Sequence, residues 1–329
     1  MMHKQRVVVI GGGTGIYPVV TALRQLPVEC ASIINTSDSG GSTGRIRDEF
    51  GFPPVGDLRQ SLSAMADPMS QNWIRQLLLY RFDKGTGLKG HNLGNLILTA
   101  LQDLTGSTTE ALSIAATVFR IHGRVIPVTE DDVHLEIEYE DGTLVNGEHQ
   151  LDDVQHTPHQ KVRAVRVGPH ALLSPTAQKA IIEAEYIIIG PGDYYASLQS
   201  VLVVPGIKHA FSKTKAKCIY FVNLMTRSTQ TIDMSASEHV AGIERSIGRK
   251  LDTVIINTKP IPDDIKATYA KEDEAPVEDD LETDKRVLRA VLLATTTAKQ
   301  SAADVVARSL LRHDEQRVHS VLKKVLAHR

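Results

Sequence analysis

Residues 7–18, VVVIGGGTGIYP, set four β-branched apolar residues directly against four glycines that surround one threonine. Such a run reads as a strand buried on both faces, and the glycines mark a turn where backbone must come close to something. The joint recurs along the chain. CASIIN (30–35) ends in the polar loop TSDSGGSTG, EYIIIG (185–190) runs into PGD, and CIYFVN (218–223) into LMT. Helical spacing of apolar residues fills the intervals, at 14–26 and near 58–65, 71–80, 93–103 and 108–118. Strands alternating with helices predict an α/β fold with a mostly parallel sheet covered on both faces. From Arg124 the texture changes: VIPVT and VHLEIEYEDGTLV alternate with period two around Asp141-Gly142, a two-residue hairpin turn. Residues 124–170 are therefore expected to form an antiparallel elaboration. The α/β alternation then resumes, with a helix from Pro175, a helix near 236–247, the strands TVIIN (253–257) and RVLRAVLLA (286–294), and a long amphipathic helix from about Ser301. Between them KEDEAPVEDDLETDK (271–285) reads as a solvated acidic loop. All of this fits a single domain over 1–329.

Charge narrows the partners. Lys and Arg number 37 against 39 Asp and Glu, a formal net charge of -2, so no polycationic surface and no nucleic-acid partner are implied. No stretch approaches the roughly 18 apolar residues of a membrane span, and MMHKQRVVVIGGG enters a strand without a signal-peptide core. A cytoplasmic protein without membrane insertion is expected. The two cysteines, Cys30 and Cys218, each lie inside an apolar run, so they read as buried reduced thiols rather than metal ligands.

The turns carry the candidate site. Gly11, Gly12, Gly13, Thr14 and Gly15 offer backbone N–H groups and a helix start to an anion, typically phosphate. The dinucleotide fingerprint wants a third glycine where Ile16 stands and an acid at the end of the second strand, where Asn35 stands, so NAD is the weaker ligand. In the second loop Gly41, Ser42 and Arg45 supply amide, hydroxyl and guanidinium, and Asp38 either accepts from a ribose or base or caps its own loop. Asp57 with Gln60 has the form of a helix-capping pair, whereas Arg59 is placed to meet a phosphate. Asn92 and Asn95 stand at a helix start, Asn95 suited to a base or ribose. Gly190 and Gly192 permit close approach, Asp193 caps or binds, and Asn223 ends a further strand. One ligand site at the carboxyl edge of the sheet accounts for them all.

Together GGGTG (11–15), DSGGSTGRIRDEFG (38–51), GDLR (56–59), GHNLGN (90–95), HGRVIPVT (122–129), GPG (190–192), NLMT (223–226), EHV (238–240) and LLRHDEQRV (310–318) resemble the gluconeogenesis factor family, distant kin of 2-phospho-L-lactate transferase. The resemblance implies a Rossmann-like three-layer sandwich, a uridine-diphosphate sugar such as UDP-N-acetylglucosamine as ligand, and a role in cell shape and envelope-precursor control during gluconeogenic growth. It also implies that Arg312, on the final amphipathic helix, contributes to nucleotide-sugar binding. The chain departs from the family where Asp193 and Tyr194-Tyr195-Ala196-Ser197 follow Gly-Pro-Gly, and where Thr229-Gln230-Thr231 follows the NLMT segment. Two readings follow. One is a non-catalytic nucleotide-sugar sensor, with no catalytic or metal-binding residue, acting on an enzyme of amino-sugar synthesis. The other is a phosphotransferase, which a metal-binding pair of Asp38 and Asp57 would favour. A homodimer stays open in both.

Overall fold

The computed structural model describes residues 3–38, 41–67, 71–151, 153–295 and 310–327, the side chains at 41, 42 and 45 excepted. In chain order the strands are β1 (Gln5–Gly11), β2 (Val28–Ile34), β3 (Arg124–Pro127), β4 (His134–Tyr139), β5 (Leu144–Asn146), β6 (Val162–Gly168), β7 (Tyr186–Ile189), β8 (Lys217–Phe221), β9 (Thr253–Asn257) and β10 (Val287–Ala290). Seven of them form one sheet in the order β10-β9-β8-β7-β1-β2-β3. Every neighbouring pair in it is parallel. The chain builds outward from β1 to β2 and β3, then returns to β1's other side with β7, so the order reverses between β1 and β7. That reversal is where open α/β sheets hold ligands. The polar joint after β8 and the glycine joints after β7, β1 and β2 therefore stand side by side along one edge.

Period-two alternation divides the strands between two cores. Val8, Ile10, Ile33, Ile187 and Ile189 pack with the helices Pro175–Glu183, Ile207–Lys213 and Ala236–Ile247. Val7, Val9, Ile34 and Ile188 pack on the other face with the helices Tyr17–Arg24, Gly56–Met65 and Glu315–Ala327. The three layers expected from the sequence are the outcome. Val7 through Ile10 are each no more than 3% exposed, and burying each stabilises by roughly 1.5–3 kcal/mol. This one strand thus anchors the glycine turn that follows it.

Several boundaries differ from expectation. Arg124–Pro127 pairs in parallel with β2 as the outer strand of the large sheet, so the antiparallel elaboration begins at His134. Val125 and Ile126 are buried, which a strand covered from both faces requires. The hairpin turn takes three residues rather than two: Tyr139 N–H donates to the Thr143 carbonyl at 2.9 Å, with Gly142 at φ 86°. The acidic stretch is partly folded in, because Pro276 bridges to Met225 and Glu274 is 4% exposed. The described part of the last helix starts at Glu315, so Arg312 precedes it. Ala294 N–H donates to the Arg312 carbonyl, and Leu293 bridges to His313. The expected helix start near Ser301 lies outside the described residues. Among the described residues no helix is long and apolar enough to cross a membrane.

Candidate functional site

Sheet hydrogen bonding stops at the end of β1, where the Ile10 carbonyl accepts from Gly190 N–H and the Gly11 carbonyl from Asn35 N–H. Beyond it, the amides of Gly12, Gly13, Thr14 and Gly15 find no acceptor among the described residues. Gly12 and Gly13 are nevertheless buried. Buried amides of that kind are rare in folded proteins, and a row of them suits an anion.

The glycines themselves answer to packing. A Cβ on Gly13 would lie 2.4 Å from the Asp57 carbonyl oxygen, and one on Gly15 would lie 2.5 Å from both Pro191 O and Gly192 Cα. The turn after β1 is thus wedged between the start of the helix Gly56–Met65 and the turn after β7. Gly190, in the left-handed region at φ 70°, turns the chain there ahead of a cis Gly190–Pro191 peptide.

Side chains crowd the same place. Asp57 Oδ2 and Ser197 Oγ both close over Gly12, while Asp38 Oδ2 and Thr43 Oγ1 close over Gly56. Asp57 sits inside the first turn of its helix, whose N-cap is Val55 with no side-chain cap bond, so the expected Asp57–Gln60 capping pair does not form. Arg59 is 5% exposed and donates from Nε to Asn95 Oδ1 at 2.7 Å and from Nη1 to the Leu78 carbonyl at 3.0 Å. Its guanidinium orients Asn95, which in turn donates to Thr43 Oγ1 at 3.3 Å. Asn92 caps the helix Leu93–Thr105 by accepting from Asn95 N–H. Asn35 is also committed: its Nδ2 donates to the Ala196 carbonyl, and its Oδ1 accepts from the Ser37 N–H and hydroxyl. Gly41 opens the helix Gly41–Phe50, and the side chains of Ser42 and Arg45 lie outside the described residues.

After Gly192 the chain forms a π-helical turn, Tyr194–Gln199, in which Asp193 contributes no side-chain cap. Gln230 does that work instead, its Oε1 accepting from Tyr195 N–H and Ala196 N–H at 3.2 Å each. The two departures from the family pattern therefore touch. The small sheet braces them, with Ala196 in its core and the Tyr139 hydroxyl donating to the Thr229 carbonyl at 2.6 Å. Asn223 Nδ2 donates to the Gly192 carbonyl at 2.7 Å, tying the end of β8 to the same turn.

One group escaped sequence reasoning. Glu274 packs beside Arg227, with Nε to Oε1 at 3.5 Å. Burial pushes its carboxyl up to about 7; Arg227 opposes that, while Glu272 and Asp193 add to it. Only the Pro-Val after it, amid acidic residues, hinted at a segment that folds back. Nearby, the His313 ring packs edge-on against Phe221 with centroids 6.1 Å apart, and burial lowers its pKa to about 4. Arg312, beside it, belongs to the backbone strap over the end of β8 and β9 rather than to a helix. Among the described residues no group of three or more His, Cys, Asp or Glu could hold a metal ion.

Comparison with known proteins gives a consistent result. The family model for 2-phospho-L-lactate transferase CofD matches residues 7–297. The chain is 35% identical over 329 residues to the gluconeogenesis factor of Bacillus subtilis, covering 99% of both chains. It is 34% identical over 317 residues to that of Listeria innocua, covering 94% of this chain and 95% of the other. A crystal structure of a UPF0052 family protein from Bacillus halodurans superposes with a TM-score of 0.87 at 32% identity, over 98% of this chain and 100% of that one.

Proposed function

The chain belongs to the gluconeogenesis factor family, on the fold of 2-phospho-L-lactate transferase, and from that membership we propose that it binds a uridine-diphosphate sugar as a regulator. The diphosphate lies against the turn Gly12–Gly15, and the ligand class is UDP-N-acetylglucosamine or a close relative. The observation that carries this reading is the row of four unaccepted amides at the point where strand order reverses. NAD fits less well, because Asn35 spends its side chain inside the protein and leaves no acid for a ribose. The regulator acts in the cell interior on envelope-precursor supply, through a partner enzyme of amino-sugar synthesis. Isothermal titration of UDP-N-acetylglucosamine and NAD in one buffer tests the ligand: tighter NAD binding overturns it. Arg312→Ala is expected to weaken the UDP-sugar by about ten- to a hundredfold, since charge-assisted bonds to a diphosphate are worth about 1.5–3 kcal/mol. Full affinity in that variant removes Arg312 from the site.

A second reading has its own support. Asp38 and Asp57 both approach the start of the helix Gly56–Met65, and a carboxylate pair beside phosphates suits a divalent cation in phosphoryl transfer. Mg²⁺-dependent conversion of the bound ligand, lost in Asp57→Asn, would make the protein a transferase.

A further inference from the structure

The helix Asn72–Leu79 is apolar on two opposite sides. Inward, Leu78 is 0% exposed and Ile74 packs against the core beneath β1. Outward, Trp73 is 77% exposed, Leu77 45%, and Tyr80, the residue that ends the helix, 47%. Their spacing of four and three residues puts all three on one stripe, with the exposed Gln76 beside them. Trp73 is the one tryptophan of the chain. A surface helix normally turns charge towards water. This one leaves on the order of 400 Å² of large apolar and aromatic side chain there, as much as a lone soluble chain usually shows in one patch.

Charge narrows what covers it. From Gln71 to Tyr80 the only charged residue is Arg75. It turns inward, its guanidinium 5.5 Å from the Tyr17 ring centroid and donating to the Tyr17 hydroxyl. The outward stripe thus carries no charge by which a foreign partner is selected, and none that repels its own copy. In a two-fold contact a residue on the axis meets itself, and Leu77 lies at the centre of the stripe. Trp73 stands about 6 Å along the helix on one side of it and Tyr80 about 4.5 Å on the other, at 1.5 Å per residue. Two antiparallel copies therefore set Trp73 of one protomer against Tyr80 of its partner, an aromatic pair at each end of an apolar centre. With the flanking Asn72, Gln76 and Leu79, exposed as well, such a pair buries on the order of 1,000 Å², near the lower limit of a specific interface.

We propose that this stripe is the surface on which a second copy of the chain docks, helix against helix about a two-fold axis at Leu77. An interface of that size gives a dimer that dissociates on dilution rather than a permanent one. The dimer does not rest on the nucleotide-sugar reading: the helix reaches the glycine-turn region only from its inward side, where the Leu78 carbonyl accepts from Arg59.

Sedimentation velocity of the full chain from about 1 to about 200 µM, with tryptophan emission recorded on the same samples, tests this. The mass is expected to rise from 36.0 kDa towards twice that, and the emission maximum to move to shorter wavelength as Trp73 leaves water. Leu77→Asp sets two like charges on the axis and is expected to weaken association at least tenfold. Its melting temperature should hardly move, because the residue lies at the surface. Leu77→Lys alone should act in the same way, whereas an equimolar mixture of the two variants should associate again, since only a residue that faces its own copy is rescued by the opposite charge. Should Leu77→Asp not fold, Trp73→Ser must weaken association in its place. The proposal is overturned if the wild type stays monomeric throughout, which leaves the stripe to another protein, or if it dimerises with its emission unchanged. It is equally overturned if Leu77→Asp dimerises like the wild type, or if the mixed variants stay monomeric.

Discussion

At β1 and β7 the edge of the sheet is finished in backbone; at β8 and β9 it is finished in side chains. The first region has glycines pressed against neighbouring main chain and amides left without acceptors, with side chains packed over them. The second has an open cleft whose lining mixes Val222, Ile256 and Val277 with Asn223, Asn257 and Lys259. The difference matters because backbone contact leaves no slack. A glycine whose missing Cβ would meet a carbonyl oxygen cannot be replaced without moving an element, whereas a cavity wall tolerates many apolar residues of similar size.

The largest expected effect follows directly. Gly13→Ala and Gly15→Ala each place a methyl where the neighbour is main chain, and each is expected to lower stability by about 3 kcal/mol in urea unfolding. A midpoint equal to the wild type's would show that the turn is not wedged, and the contrast between the two regions would fail.

A smaller effect sits between them. Gln230→Ala strips the acceptor from the Tyr195 and Ala196 amides inside the π-helical turn, at an expected cost of about 2 kcal/mol. Gln230→Glu keeps an acceptor oxygen and should retain most of that stability. Equal losses in both variants would mean that packing, not the two hydrogen bonds, holds the turn.

The third effect is spread over pH. Glu274 titrates near 7 in the folded chain, above its ordinary value of 4.5. Between those values the folded state holds a proton that the unfolded state has released. Stability therefore falls as pH rises through that window, by at most about 1.4 kcal/mol per unit, and flattens above it. Glu274→Gln is expected to remove that part of the slope, read as unfolding free energy from pH 4.5 to 8. An unchanged slope would place the carboxyl in water and detach the strap at Pro276 from the site.

What the sequence disclosed follows the same divide. The helices 108–118 and 236–247 and the strand 253–257 fall where expected, because their signals are local. Ser107 caps one helix, Ser235 and Glu238 form a capping box on another, and the β-branched run Val254-Ile255-Ile256 suits a buried strand. The glycine turns were legible for the same reason. Arg124–Pro127 joins the large sheet although its pattern points to the antiparallel elaboration, since a short apolar run does not name its neighbour. Asp57 imitated a cap, but helix geometry starts one residue before it, at Gly56. Glu274 was hidden in an acidic stretch whose composition argues for solvent, and only tertiary contact buries it.

The helix Glu315–Ala327 lies against the helix Tyr17–Arg24, with His319 Nδ1 3.2 Å from the Ala22 carbonyl and Gln5 Nε2 donating to Leu326 O. Val318, Leu322 and Leu326 complete the core beneath β1. During synthesis, then, the segment bearing the glycine turn emerges from the ribosome long before its cover does. Until nearly 300 further residues have been added, Val19, Val20 and Leu23 must wait partly uncovered, a long-range closure that slows folding. A chain released early would carry the whole turn motif and still present an open apolar face to chaperones and proteases.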